Sequence, residues 1–173
     1  MKKNSIIGAM LALGLAMGQG AAMAEGFQFD QSKAYVGGGL GYNSVGDPWD
    51  KAIGWQIFGG YELDQVKLGE NIASAVEVGY MNSGKFKYSQ TIFGTTLSSE
   101  TSASGLWATY VATYTVNDQW DALGRVGLDF GDDSGLMFGF GGEYKLSDNG
   151  ALRVEYVVRD SINSFQGNYV HRF

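Results

Sequence analysis

The chain has 173 residues, with 27 glycines, one proline, no cysteine and a formal net charge of −6. The missing cysteine excludes disulfides, thiol chemistry, thiolate metal sites and lipoprotein acylation. The acidic balance makes nucleic acid a poor partner.

Met1–Ala24 has the pattern of a secretory leader: Lys2 and Lys3, an apolar stretch from Ile6 to Met17, and Ala22-Met23-Ala24 as a small-x-small cleavage site. A membrane anchor is the rival reading, and the short apolar stretch, with Gln19 and Glu25 close behind, argues against it. Cleavage after Ala24 removes two of the 12 basic residues and none of the 18 acidic ones, leaving a net charge of −8 on residues 25–173. That remainder is the right length for one domain.

Eight segments then alternate with a period of two, the signature of strands whose two faces differ. They are 34–43, 54–63, 72–81, 106–116, 120–130, 136–146, 151–159 and 164–173. The first presents Val36, Leu40 and Tyr42 on its apolar face; the second Trp55, Ile57, Tyr61 and Leu63. The third presents Ile72, Ser74, Val76, Val78 and Tyr80. The fourth is apolar on both faces, with Leu106, Ala108, Tyr110, Ala112, Tyr114 and Val116 taken as outward. The last four present Trp120, Val126, Leu128 and Phe130; Leu136, Phe138, Phe140, Tyr144 and Leu146; Leu152, Val154, Tyr156 and Val158; and Phe165, Tyr169, His171 and Phe173.

The opposite faces carry Glu62, Glu77, Asp121, Arg125, Asp129, Glu143, Lys145, Arg153, Glu155, Arg159 and Arg172. Residues 64–71, 117–119 and 147–150 are turns; 44–53, 82–105, 131–135 and 160–163 are the connections at the other end. After the leader, no run approaches the roughly 20 apolar residues of a membrane helix. An exported chain whose strands are apolar on one face can cross a membrane only as a closed barrel. The strand lengths, the alternation of short and long connections, and Tyr or Trp near segment ends fit that architecture. The expected fold is all-β: an eight-stranded antiparallel transmembrane barrel over 25–173, with both termini at the periplasmic end.

Six stretches in order, namely Tyr35–Tyr42, Gly54–Tyr61, Ala75–Tyr80, Gly124–Gly127, Leu152–Tyr156 and Tyr169–Phe173, resemble the small eight-stranded outer-membrane barrels of the OmpA/OmpX type. His171 stands where that family usually has another aromatic. The resemblance implies an outer-membrane protein of a Gram-negative bacterium with a structural or surface-interaction role. It further implies contact with lipid and lipopolysaccharide, and insertion by a barrel-assembly machinery that reads the terminal Phe173.

Eight strands leave room inside mainly for side chains. Glu62, Glu77, Arg125, Asp129, Glu143, Lys145, Arg153, Glu155, Arg159 and Arg172 are therefore expected as an interlocked charge network in a filled lumen, with inward glycines giving the long side chains space. A narrow porin-like channel is the alternative. A lipid-A-modifying enzyme is a weaker one, because the single histidine, His171, has no serine within reach along its strand. No catalytic residue, cofactor or metal site is expected, since one His and scattered carboxylates do not make a tetrahedral set. Residues 82–105 extend the third and fourth segments as a hairpin around Phe93-Gly94, with Phe86, Tyr88, Ile92 and Phe93 as candidate contacts for a host or surface ligand. Deleting Phe173 is expected to lower the yield of folded protein in the outer membrane; undiminished yield in membrane fractions would make the terminal match accidental.

Overall fold

The computed structural model describes residues 30–63, 68–93 and 95–173. The leader over 1–24, part of the third turn (64–67), Gly94 and the side chain of Ile92 lie outside the described residues. A 3-10 turn, Gln31–Lys33, is capped by the Asp30 carboxylate, which accepts from the Ser32 amide at 3.0 Å, and leads into ten strands. They are β1 (Ala34–Ser44), β2 (Ala52–Glu62), β3 (Ile72–Asn82), β4 (Phe86–Ile92), β5 (Thr95–Thr101), β6 (Ser104–Thr115), β7 (Trp120–Asp129), β8 (Gly135–Lys145), β9 (Gly150–Val158) and β10 (Asn163–Arg172).

Eight of these close a barrel in the order β1-β10-β9-β8-β7-β6-β3-β2, every neighbouring pair antiparallel. Closure is the β1–β10 ladder, which runs from Tyr35 opposite Arg172 to Ser44 opposite Asn163. All eight expected segments are therefore strands. The second starts earlier than its alternation suggests, because Ala52 still meets Asn43 in the register of β1.

The outward rows are exposed: Ile57 at 58%, Phe140 at 65% and Phe165 at 57%, against 0% for the inward Trp107 and Met137. A face this apolar has no favourable contact with water, and a closed ladder leaves no backbone edge unpaired in lipid. The ambiguous fourth segment, now β6, puts Trp107, Thr109 and Val111 inside and Leu106 and Tyr114 outside. Ser74 is on the outer face but buried, its hydroxyl 2.6 Å from that of Tyr110.

Strands β4 and β5 form a separate two-stranded sheet above β3 and β6, with Ile92 opposite Thr95 at its tip. The ladder breaks at Ser83–Lys85. Gly84 there has φ +75°, and a Cβ on it would lie 2.2 Å from the Ile53 carbonyl oxygen, so glycine alone suits the bend.

Because no strand edge is free in the barrel, detergent has no end from which to unravel it. Unboiled protein in SDS should run at a different mobility from boiled protein; equal mobility would contradict a closed ladder.

Candidate functional site

Inside the barrel the charges form a chain of shared partners. Arg125 grips Glu155 with two bonds of 2.8 Å, from Nε and Nη2. Its Nη2 also lies 3.1 Å from Glu77 Oε2, close enough to attract though not aligned as a hydrogen bond. Arg153 donates to Glu77 at 2.6 Å and to Glu143 at 2.8 Å, and Glu143 also accepts from Arg172. The Tyr35 hydroxyl adds a 2.7 Å bond to Glu77. Nearer the long loops, Arg159 donates to Asp129 at 3.0 Å; nearer the turns, Lys145 donates to Asp121 at 2.9 Å, and Glu62 lies 3.8 Å from Arg172. All ten charges expected inside face inward. Glu62, Lys145 and Arg172 sit at the turn end and are partly exposed.

The period of two carries each charge inward, but it does not say which aromatic or amide lies beside it. The Arg125 guanidinium lies 5.4 Å from the Trp107 ring, and that of Arg153 5.5 Å from Phe58 and 5.8 Å from Tyr35, within cation–π range. The inward glycines serve these rings as well as the charges, which widens the expectation above. A Cβ on Gly37 would strike Phe58, one on Gly60 Tyr35, and one on Gly79 Trp107, while Gly139 clears the stem of Arg125 and Gly141 that of Glu155. Beyond the ion pairs lies a neutral layer in which Gln56 donates to Gln166 at 2.8 Å and Asn168 at 2.9 Å.

At the long-loop end, Phe86, Ile162 and Ala52 bury one another, with Val45, Trp49 and Ala103 packed around them. The surrounding loops are tied by hydrogen bonds. The Asp50 amide donates to the Lys87 carbonyl at 2.8 Å, and the Ser104 amide to Asp132 at 2.9 Å. Asp133 accepts from the Ser161 and Ile162 amides at 2.8 and 3.0 Å. Phe86 is therefore no contact residue. It is 1% exposed, because the bend at Gly84 turns it onto the mouth of the barrel. Tyr88 is half-buried, 5.9 Å from Trp49, and Phe93 stands fully exposed. A Phe followed two residues later by a Tyr reads as one face of a strand, and nothing local marks the first as buried.

Outside the membrane-spanning strands, Glu100 of the hairpin accepts from Lys85 at 3.0 Å and lies 3.6 Å from Lys87. The Lys85 hydrogen bond, then its charge, holds the Glu100 carboxyl below its ordinary range. A lowered carboxyl pKa means that this tie is present above the ordinary range and is lost as pH falls through the lowered value. At the opposite end a cavity of about 420 Å³ opens, lined by Tyr35, Glu62, Thr113, Asp121, Lys145 and Arg172.

An apolar exterior, a closed ladder and a charged interior define a transmembrane β-barrel. The chain belongs to the outer membrane protein beta-barrel domain family, whose model matches residues 9–169. Among solved structures it is similar to a de novo designed transmembrane β-barrel (TM-score 0.55, 17% identity, 85% of this chain and 100% of that one). It is similar also to the attachment invasion locus protein Ail of Yersinia pestis in complex with the heparin analogue sucrose octasulfate (0.51, 10%, 81% and 96%). The outer membrane enzyme PagL is a third (0.50, 12%, 80% and 99%). A comparison with curated proteins finds no match. At these identities the structures share the fold, and the expected outer-membrane location follows from the family.

Glu77 bridges two buried guanidiniums, so removing it takes one carboxylate partner from each, leaving Arg125 with Glu155 and Arg153 with Glu143. Leaving a buried charge with no partner costs about 3–5 kcal/mol, which bounds the loss from above. Glu77→Ala should therefore lower the barrel's unfolding temperature more than Val78→Ala on the outer face; the reverse order in a thermal melt would invert the assigned facing.

Proposed function

We propose that this barrel is a non-conducting, non-catalytic scaffold that holds the β4–β5 hairpin above the cell surface to engage a partner. The observation that carries the reading is the seating of the hairpin. Phe86 is locked into the mouth, and the Asp50–Lys87 bond braces the outer side of β4. Such a base presents the hairpin in one orientation, with less ordering cost on binding. A two-stranded sheet also offers a strand edge, and an extended segment of a partner can pair with it through backbone bonds.

The rest of the lumen supports closure to ions. Ion pairs, a neutral amide layer and the Phe86 cluster follow one another along the axis, each built of buried side chains. Against catalysis, His171 is on the outer face opposite Val36, while Ser164 is buried on the inner face opposite Asn43. Export with cleavage after Ala24, and insertion read at Phe173, belong to the same proposal. Ail was solved with a heparin analogue, but a polyanion suits this mouth poorly. Its loops carry Lys51, Lys85 and Lys87 against Asp47, Asp50, Glu100, Asp132, Asp133 and Asp160.

Deleting all of the hairpin would also remove Phe86 and unseat the mouth. The cleaner variant replaces Ser89–Ser98 with Asn-Gly, which closes Tyr88 onto Ser99 in the existing register. It should stay heat-modifiable and lose binding to cells, matrix or serum proteins. Unchanged binding, or stepwise conductance of the intact barrel in planar bilayers, would overturn the proposal.

A further inference from the structure

The hairpin divides into two chemically different halves. Its charges, Lys85, Lys87 and Glu100, are at the base and satisfy one another. From Ser89 to Ser99 there is no charged residue at all, in a chain that is otherwise strongly acidic. Across the hairpin the facing backbones pair from Ser89 opposite Ser98 to Ile92 opposite Thr95, and the side chains pair as Ser89 with Ser98 at 3.3 Å and Thr91 with Thr96 at 3.1 Å. Strands of this length lift the tip about 24 Å from the base.

At the tip stands Phe93, fully exposed, and on the strand below it Leu97 is 60% exposed. Phe93 also has φ +50°, the left-handed region that L residues avoid. A two-residue turn at this point favours Asn or Gly, and a bulky aromatic there raises the backbone energy without any compensating contact. The fold gains nothing from Phe93. An aromatic at a site where folding disfavours it points to a use outside the fold.

We propose that the distal hairpin is a lipid-contact tip that inserts Phe93, with Leu97 behind it, into the headgroup–acyl boundary of an apposed zwitterionic membrane. An aromatic ring is well placed at that depth. A distal half without charge enters it more cheaply than a charged one, and at that depth the outer-edge backbone groups of the two strands stay within reach of water and headgroups. With no Lys or Arg in its distal half the hairpin has nothing to hold an anionic headgroup, which suits a neutral surface. A protein pocket would also accept a Phe, but it would not require the whole distal half to be uncharged. This inference rests on the hairpin being the contact element of the barrel.

The test uses the full barrel in nanodiscs, floated with phosphatidylcholine vesicles. The wild type should co-float. Phe93→Asn suits the turn better than Phe and so keeps the hairpin folded, yet it should cut the vesicle-bound fraction about tenfold, the scale expected for losing one buried aromatic. Phe93→Trp should still bind, and its emission should be quenched by brominated phosphatidylcholine in the vesicles. Wild-type binding by Phe93→Asn, or an unquenched Phe93→Trp, overturns the inference. Loss of protein or cell-matrix binding in Phe93→Asn with no vesicle association in any variant also overturns it, while leaving the surface-contact reading standing. Vesicle binding that needs Phe93, beside protein binding indifferent to replacement of Ser89–Ser98, would separate the two in the opposite direction.

Discussion

Among the described residues, Glu77 is the one carboxylate that two guanidiniums and a tyrosine hydroxyl compete to hold. Its strand, β3, lies far around the sheet from β9, which supplies Arg153, and two strands from β7, which supplies Arg125. A buried charge is tolerable only when paired, and here the pairs reach across the lumen. The ion pairs therefore act as spokes. They join walls that the backbone ladder connects only around the circumference, and they require each contributing strand to keep its register, since a slip of one residue would turn a charge into lipid.

Around those spokes the interior changes character along its axis. The turn end is open and lined by partly exposed charges, the middle is ionic and aromatic, the next layer consists of neutral amides, and the mouth is apolar. Each layer suits its neighbour. Guanidiniums lie against rings, which accept positive charge on their faces, and glycines opposite the rings leave them room. The amides then fill the step between the charged centre and the apolar mouth with groups that bond to one another.

Much of this was legible in the alternation of residue types. A period of two gives strand faces, and eight such segments in an exported, cysteine-free chain leave few architectures. It placed Arg125 and Glu155 inside, although it could not show that they pair, because β8 separates their strands. What periodicity does not carry is contact between elements far apart in the chain. Phe86 belongs to the apolar mouth only because Gly84 bends the chain and Ile162 arrives from the far side. Trp107, on a strand apolar on both faces, has no marker for being inside. The roles of Gly37, Gly60 and Gly79 likewise depend on which rings stand opposite them, which register decides.

The mouth cluster also has a temporal meaning. Its parts come from the first, second and last of the long connections, and the third contributes Asp133 as the acceptor for the Ser161 and Ile162 amides. Ile162 leads into β10, whose pairing with β1 joins residues more than a hundred positions apart in the chain. Contacts so distant in sequence form late, since a large loop must close first. The apolar mouth cluster thus belongs to the long-range contacts of the fold, and a buried Phe86 goes with a closed cylinder.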